Sequence, residues 1–521
     1  MSLSSTATPR NARKTRRLPR YLAVTSAAAF VSLLSLIPLG FIVWIAVDSG
    51  LETVVELVFR PRVGELVVNT VVLVSVTLPI AIVLSVGLAW LTERTELRFG
   101  RAWRWLLVAQ LAVPAFVQSY AWNTVAPSLF GLWGAVLVSI LAYFPFLYLP
   151  VAAQLRRLDP ALEETAASLG KSPATIFFRV VLPQLRLAIC GGALLIGLHL
   201  LAEYGLYVLM RFDTFATAIV DQFQSVFNGP AANLLGGVLV LLCFVMLGLE
   251  SFIRGDARYA RVGGGAPRAA ARRGLGRFAL PAQLLMATVV LLSVGVPLYT
   301  LTRWLMLGGA SIWNFADILP ALGQTFFLSL AGAGLAVVAA LPAAWLSVRA
   351  PSRVARLIEA SHYYVGALPG VIVALALVTI TVRVALPLYQ TMATLLLAYL
   401  LMFLPRAMVG LRASIAQAPV ELERAAQSLG KPPLIAVWQT TVRLAAPGAF
   451  AAAALVALGI ANELTGTLML APNGVRTLAT RFWAYTAELD FSSAAPYAVL
   501  MVVISLPLVL LLRLEADRGT K

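Results

Sequence analysis

The sequence is poor in cysteine, histidine and charge. Of its 521 residues, two are cysteine and two are histidine, and Asp, Glu, Lys and Arg together make up 12%. Soluble domains are typically about 25% charged, so this chain has too few charged side chains to cover a water-soluble globule. Cys190 and Cys243 both lie in apolar runs. They are therefore predicted to be buried small hydrophobic residues, and a disulfide scaffold or a cysteine metal site is not expected.

Apolar sequence is abundant instead, at 60% of the residues. A stretch of about 20 apolar residues crosses a bilayer as a helix, because lipid offers the backbone no hydrogen-bond partners. Stretches of this kind are centred near Leu34, Val76, Leu111, Ile140, Leu195, Leu241, Val290, Val337, Leu375, Leu397, Val456 and Val503. The sequence thus predicts an all-α polytopic membrane protein with about 12 transmembrane helices.

The basic residues map the topology. The formal net charge is +17, and the Lys and Arg residues cluster at 10–20, 94–104, 254–277 and 349–356, beside the ends of apolar stretches. Cytoplasmic loops of membrane proteins are enriched in Lys and Arg, so we predict that both termini are cytoplasmic. The aromatic and basic interleaving of a nucleic-acid platform is missing, and no nucleic-acid partner is expected.

The two parts of the chain repeat each other. Matching positions in order are Thr70 with Thr325, Pro114 with Pro369, Glu203 with Glu463, and Thr214 with Thr477. Six spans in each half give both halves the same orientation, related by a pseudo-twofold axis along the membrane normal with a pathway between them. The predicted divisions are a basic tail 1–20, a first half 21–254, a cytoplasmic linker 255–277, a second half 278–513 and a tail 514–521.

One short stretch occurs in both halves, each time in a predicted cytoplasmic loop between the fourth and fifth spans. It has the pattern E-x-x-A-x-S-L-G-K-x-P and runs from Glu163 to Pro173 and from Glu423 to Pro433. In the first copy Asp159 suits a helix N-cap and Pro160 the first helical position. A glycine in the left-handed conformation ends such a helix. Each copy is therefore predicted to be a short capped helix beside the membrane, with small side chains exposed to a partner protein.

This repeated stretch resembles the EAA loop of binding-protein-dependent ABC importer permeases, and the resemblance covers the chain after residue 20. In that family the loop is a coupling helix that docks on an ATP-binding subunit. The resemblance implies a bacterial inner-membrane protein that works with two copies of an ABC ATP-binding subunit and an extracytoplasmic solute-binding protein. The implied coupling residues are Glu163, Ala166, Ala167, Gly170 and Lys171 in the first half, and Glu423, Ala425, Ala426, Gly430 and Lys431 in the second.

The tandem layout and the segments 463–468 and 477–481 are most similar to fused ferric iron permeases. Thiamine, polyamine, sulfate and phosphonate are the alternative substrates, and an autonomous secondary transporter is a further alternative that leaves the repeated loops unexplained. No nucleophile and base are grouped, so no enzyme activity is expected. Gly170-Lys171-Ser172 lacks the earlier glycine of a phosphate-binding loop. The chain is thus expected to bind no cofactor and no resident metal, with ATP and Mg²⁺ on the partner subunit.

Two equivalent glutamates are candidates for the pathway. Glu203 and Glu463 lie in the fifth span of each half, and ionisable residues in a membrane tend to face an aqueous cavity. A structural hydrogen bond is the alternative role for both. His199 precedes Glu203 by one turn, but with no second ligand nearby, core packing is favoured over metal binding.

Two prolines are predicted to interrupt their spans at equivalent places, Pro114 in the third span and Pro369 in its counterpart. Irregular backbone in a membrane is tolerated where it is buried or lines a cavity. Gln118, Tyr120 and Asn123 follow Pro114 and are therefore further candidates for the pathway.

Overall fold

The computed structural model describes residues 22–226, 229–255 and 272–518. Within these ranges the chain is helical, and an isolated bridge between Thr95 and Arg273 is the one extended pairing. The predicted all-α fold is confirmed. The predicted N-terminal tail 1–20, most of the predicted linker (256–271) and residues 519–521 of the predicted C-terminal tail lie outside the described residues.

Six helices of the described chain are long and apolar enough to cross a membrane. They are Pro61–Arg94, Gly229–Arg254, Gly276–Gly308, Phe315–Arg349, Met392–Gln417 and Ile435–Ala461. Four more regions are pairs of helices joined at a bend: Leu22–Ser35 with Ile37–Asp48 (43°), Gly131–Tyr143 with Pro145–Arg157 (40°), Pro173–Gln184 with Arg186–Ala202 (66°), and Arg353–Val365 with Gly370–Arg383 (98°). Each bent pair is counted as one span, which makes ten.

The two remaining predicted stretches are helical as well. One consists of Gly100–Ala109 and Ala115–Val125, and the other is Phe491–Arg518. The described chain thus has a helical region at each of the twelve predicted positions, and these regions are numbered spans 1 to 12 in chain order. Short helices connect them: Leu51–Val58, Ala161–Ser168, Gly205–Leu209, Phe215–Gln224, Val420–Ser428, Thr465–Leu470 and Leu478–Ala487.

The predicted breaks at Pro114 and Pro369 are confirmed. Span 3 stops at Ala109 and resumes at Ala115, and span 9 turns by 98° before Gly370. Pro114 (φ −57°, ψ 148°) and Pro369 (φ −58°, ψ 144°) have nearly the same extended backbone and both precede a helix. Proline lacks the amide that would continue the preceding helix, so each break is local in origin.

The repeat is visible in the order of structural features. Spans 2 and 8 are helices of 34 and 35 residues. Spans 5 and 11 each contain a π-helical segment, Phe177–Val181 and Trp438–Val442. Thr214 and Thr477 each close a capping box at the start of a short helix, Phe215–Gln224 and Leu478–Ala487. Such features depend on local sequence, and their recurrence shows that the two halves use the same elements in the same order.

The halves pack against each other through a common apolar core. One buried cluster joins Leu66 and Leu239 of the first half to Leu328 and Leu375 of the second. Another joins Val117 and Tyr120 to Phe482 and Tyr497. Residues that line the contact between the halves are therefore brought together from distant parts of the chain.

Candidate functional site

The first predicted coupling helix is Ala161–Ser168. The Asp159 carboxylate accepts a hydrogen bond from the Ala161 amide at 3.0 Å, as expected for a side chain that caps a helix N-terminus. The helix begins at Ala161, one residue after the predicted Pro160, whose backbone is already helical (φ −67°, ψ −17°). The Asp159 side chain thus bonds to the start of the helix as predicted, while the helix itself begins one residue later than predicted.

Gly170 ends this helix in the left-handed conformation, with φ +73°. Its amide donates to the Ala167 carbonyl at 2.9 Å, and the Lys171 amide donates to the Ala166 carbonyl at 3.1 Å. This is the pair of hydrogen bonds of a Schellman motif, which satisfies the last carbonyls of a helix. The stop requires a positive φ, which glycine adopts without steric cost.

The second coupling helix, Val420–Ser428, ends in the same way. Gly430 has φ +81°, its amide donates to the Gln427 carbonyl at 3.0 Å, and the Lys431 amide donates to the Ala426 carbonyl at 3.1 Å. Both copies of the sequence pattern therefore produce the same rigid capped helix.

Each coupling helix exposes apolar side chains. Leu162 and Leu169 are 43% and 72% exposed, and their counterparts Leu422 and Leu429 are 43% and 83% exposed. Residues seven apart lie on the same face of a helix. The alanines add to this surface: Ala167 and Ala425 are exposed, and Ala166 and Ala426 are half-buried. Paired apolar side chains on a surface favour contact with another protein.

The two motif glutamates point away from that surface and are buried. Glu163 forms an ion pair with Arg94 (Oε1 to Nη2, 3.1 Å), and Glu423 forms one with Arg349 (Oε1 to Nε, 3.0 Å). Neither arginine was predicted from the sequence. A signal was present, because Arg94 and Arg349 are separated by the same 255 positions as Thr70 and Thr325.

Glu203 follows span 5 directly and is half-buried. The Tyr143 hydroxyl donates a hydrogen bond to its Oε2, and the Leu206 amide donates to its Oε1 at 3.1 Å. The carboxylate thus stands at the start of the short helix Gly205–Leu209, where the helix dipole favours negative charge.

Glu463 has the equivalent position after span 11. The amides of Gly466 and Thr467 both donate to its carboxylate at 2.9 Å, and so does the Thr467 hydroxyl. The Tyr399 hydroxyl lies 2.8 Å from that of Thr467. Both glutamates therefore make the structural hydrogen bonds of the second interpretation, while each remains partly accessible.

The turns that carry the glutamates meet between the halves. A Cβ on Gly205 would lie 3.1 Å from Leu464 Cδ2 and 2.9 Å from Phe116 Cβ. The rings of Tyr204 and Trp483 are 5.3 Å apart. The fold thus brings two positions 260 residues apart to the same interface, as a pathway between halves requires.

The candidates after Pro114 have a different setting. Gln118 and Tyr120 are fully buried. The Tyr120 hydroxyl donates to the Phe491 carbonyl at 2.6 Å, and Gln118 Nε2 donates to the Leu292 carbonyl at 3.4 Å. Asn123 is half-buried. The hydrogen bonds of Gln118 and Tyr120 therefore connect span 3 to the second half, which favours a structural role for these two residues.

Two further ionisable residues lie in membrane-spanning helices, His199 in span 5 and Arg406 in span 10. His199 stacks on Phe146 with ring centroids 4.7 Å apart, in line with the predicted packing role. Arg406 of span 10 is exposed and lies 5.3 Å from the Phe403 ring. Arg406 was not predicted as a candidate, although a charge within an apolar stretch is such a signal. No group of three metal-ligating side chains occurs in the described ranges.

A cavity of about 410 Å³ opens in the first half, on the side opposite the coupling helices. Its lining includes Arg60, Arg62 and Arg211 as well as Tyr204 of the turn described above. Arg62 is paired with Asp213 at 2.5 Å. The cavity thus places charged groups next to the turn that carries Glu203.

Comparisons with known proteins agree with this architecture. Residues 332–518 match the family described as binding-protein-dependent transport system inner membrane component. The Fe(3+)-transport system permease protein FbpB 2 of Haemophilus influenzae is 36% identical over 495 residues, 94% of this chain and 97% of that protein. The sulfate transport system permease protein CysW of Synechocystis is 25% identical over 45% of this chain and 92% of its own length. The ferric transport system permease protein FbpB of Actinobacillus pleuropneumoniae is 21% identical over 73% of this chain and 58% of its own length.

Proposed function

Because this chain belongs to the binding-protein-dependent transport system inner membrane components, we propose that it is the membrane-spanning permease of an ATP-driven importer for ferric iron. The observation that carries the substrate is the 36% identity, over 94% of the chain, to a relative whose name specifies Fe(3+) transport. The mechanical role rests on the two coupling helices and the contact between the halves. The protein is a multi-pass inner-membrane permease, and in this proposal ATP is hydrolysed by a separate ATP-binding subunit.

The coupling helices give the proposed energy input. One ATP-binding subunit docks on Leu162 and Leu169, and a second copy docks on Leu422 and Leu429. The small and apolar exposed side chains allow the ATP-binding subunit to approach each coupling helix closely. The Schellman caps stabilise the end of each helix while that subunit moves it. Both termini and both coupling helices lie in the cytoplasm in this arrangement, as the distribution of Lys and Arg indicates.

The pathway lies between the halves and passes Glu203 and Glu463. The extracytoplasmic binding protein delivers ferric iron at the opposite face, where two carboxylates attract a cation. Hydrogen bonds from Tyr143 and from the Gly466 and Thr467 amides hold the carboxylates in place. Closure of the ATP-binding subunits rocks the halves and opens this contact towards the cytoplasm.

The alternative substrates fit less well. The sulfate permease relative aligns with 45% of this chain, whereas the iron permease relative aligns with 94% of it. Two partly accessible carboxylates at the contact between the halves oppose an oxyanion. A secondary transporter would have no use for two capped helices with exposed leucines.

The test is reconstitution of the permease in liposomes with the ATP-binding subunit and the solute-binding protein encoded beside it. We expect uptake of radioactive ferric iron that requires ATP and the binding protein. The binding protein is also purified and its ligand identified by mass spectrometry and metal analysis. Sulfate, thiamine, a polyamine or a phosphonate as ligand would contradict the iron assignment, and uptake without ATP would contradict the ATP-driven mechanism.

A further inference from the structure

We propose that the ion pairs Arg94–Glu163 and Arg349–Glu423 are the joints that transmit movement of the coupling helices to spans 2 and 8. The inference rests on the proposed function, because it requires an ATP-driven partner at the coupling helices. It assigns to the motif glutamates a positioning role inside the permease.

The joint of the second half connects three elements. Arg349, the last residue of span 8, and Glu423 of the coupling helix each have a side chain only 8% exposed. Arg349 Nη2 also donates to the Ala418 carbonyl at 2.7 Å and to the Thr441 hydroxyl at 3.3 Å. The Thr441 hydroxyl in turn donates to Glu423 Oε1. Span 8, the coupling helix and the π-helical segment of span 11 therefore share one buried polar cluster.

The first half builds the same joint with a different third group. Arg94 and Glu163 are 4% and 11% exposed. The π-helical segment Phe177–Val181 carries no hydroxyl, and Arg273 approaches Glu163 instead at 4.0 Å. The Arg273 amide donates to the Arg94 carbonyl at 3.0 Å, so the end of the linker is attached here. The ion pair itself is thus the component that both halves share.

Helix ends favour these charges. Arg94 and Arg349 lie at the C-termini of long helices, where the dipole favours a cation. Glu163 and Glu423 lie in the first turn of short helices, where it favours an anion. Loss of one partner leaves an uncompensated buried charge, which is much less favourable than the intact pair. Each pair thus holds the end of one helix to the start of the next in a fixed orientation.

Span 8 carries the movement across the membrane. A helix of 35 residues is roughly 50 Å long at 1.5 Å per residue. Near its outer end, Asp317 forms ion pairs with Arg476 (3.3 Å) and Arg481 (2.6 Å). These arginines follow the turn that carries Glu463. Displacement of the coupling helix is thereby passed along span 8 to the outer elements around the pathway.

The rival role for the glutamates is direct contact with the ATP-binding subunit. That role needs the Glu163 and Glu423 carboxylates at the surface, whereas both are buried and paired with arginines of the permease itself. The two roles predict different behaviour for Arg349. If Arg349 positions Glu423, transport requires Arg349. If Glu423 contacts the ATP-binding subunit directly, transport does not require Arg349.

The experiment uses the complete importer in liposomes with the variants Arg349→Gln, Glu423→Gln and both together. Iron uptake, ATP hydrolysis and co-purification of the ATP-binding subunit are measured for each. We expect each single variant to lose about tenfold or more in uptake, within the range of couplings between sites, while the ATP-binding subunit still co-purifies. ATP hydrolysis should no longer be accelerated by the loaded binding protein. The double variant should be no worse than either single variant, because both remove one shared interaction.

Arg353→Gln is the matched control, because it removes the same charge from an exposed position four residues further along the chain. It should transport like the wild type. Arg349→Lys keeps the charge and should retain more uptake than Arg349→Gln. Where a neutral variant does not reach the membrane, Glu423→Asp replaces it, since the charge stays and the side chain shortens. Its uptake should fall while the ATP-binding subunit remains bound.

Three results would contradict the proposed role of these ion pairs. Uptake by Arg349→Gln or by Glu423→Asp at the wild-type level would show that the geometry of the pair is not needed. Multiplied losses in the double variant would show that the two side chains act independently. Loss of the ATP-binding subunit from Glu423→Gln but not from Arg349→Gln would establish the direct contact. Failure of the proposed function is distinct from all three, because the wild type itself would then show no ATP-dependent uptake.

Discussion

At the scale of single residues, the paired glutamates make structural hydrogen bonds and stay partly accessible, and the proposed pathway role rests on that accessibility. Glu203 accepts hydrogen bonds from Tyr143 and from the Leu206 amide, so it is part of the local structure. Glu463 likewise accepts from two backbone amides. Both side chains remain half-buried at the contact between the halves. Their charge, more than their hydrogen bonds, is the property that bears on a cationic substrate.

The double substitution Glu203→Gln with Glu463→Gln separates these roles. Glutamine removes the charge at nearly the same side-chain volume and keeps one acceptor oxygen for the local hydrogen bonds, while its amino group replaces the other oxygen. We expect iron uptake to slow by about tenfold, which corresponds to about 1.4 kcal/mol in the barrier. The measurement is the initial uptake rate in liposomes with ATP and loaded binding protein.

Glu56→Gln provides the control for that substitution. Glu56 is a surface glutamate, 74% exposed and 3.7 Å from Arg60, so its charge is screened by solvent. Its uptake rate should equal that of the wild type. Wild-type uptake by the double variant would assign Glu203 and Glu463 to structure alone.

At the scale of elements, helix packing explains why particular glycines are required. Spans 4 and 5 approach closely at Gly192, where a Cβ would lie 2.8 Å from the Leu147 Cα. That distance is to backbone, which cannot rotate away as a side chain does. A Cβ on the neighbouring Gly191 would have no atom within 4 Å. Two adjacent glycines of one helix therefore differ in whether they accept a methyl group.

Gly192→Ala should destabilise the protein by about 1–3 kcal/mol, as overpacking does in a close-packed interior. The reason is that spans 4 and 5 must move apart to admit the methyl group. The measurement is the midpoint of thermal unfolding in detergent. Gly191→Ala is the matched control and should leave the midpoint unchanged or raise it, because alanine is the better helix former. Equal midpoints for the two variants would contradict the close approach of these spans.

At the scale of the whole molecule, the halves share their elements but not all of their charges. Arg62 pairs with Asp213 in the first half. The position equivalent to Arg62, 255 residues later, is Asp317, which pairs with Arg476. These two ion pairs thus join equivalent elements, with the positions of the acidic and the basic residue exchanged. The arginine-lined cavity described above lies in the first half.

The orientation of the molecule is testable by labelling with a membrane-impermeant thiol reagent. The natural Cys190 and Cys243 are buried in the described structure, as predicted, and give a low background. Phe315→Cys and Leu429→Cys place thiols at residues that are 59% and 83% exposed. In intact spheroplasts we expect labelling of Phe315→Cys but not of Leu429→Cys. In cells that express the permease without its ATP-binding subunit, both should react after the membrane is permeabilised. The reverse pattern in intact spheroplasts would contradict a cytoplasmic location of the coupling helices.

The sequence by itself determined the features with local causes. Apolar length places the spans, Pro114 and Pro369 break two of them, and Gly170 and Gly430 end the coupling helices. These follow from backbone chemistry within a few residues of each position, so a linear pattern suffices to predict them. The repeat was also readable, because equivalent elements recur at a nearly constant spacing.

Only the tertiary structure decided which side chains meet. Glu163 and Arg94 are far apart in sequence, and nothing near either residue specifies the other. Gln118 and Tyr120 are candidates for a pathway by sequence, and only the structure shows that they also bond to spans 7 and 12 of the second half. Such pairs depend on how long helices approach one another. That approach is set by burial and close packing summed over the whole molecule, which no short stretch of sequence contains.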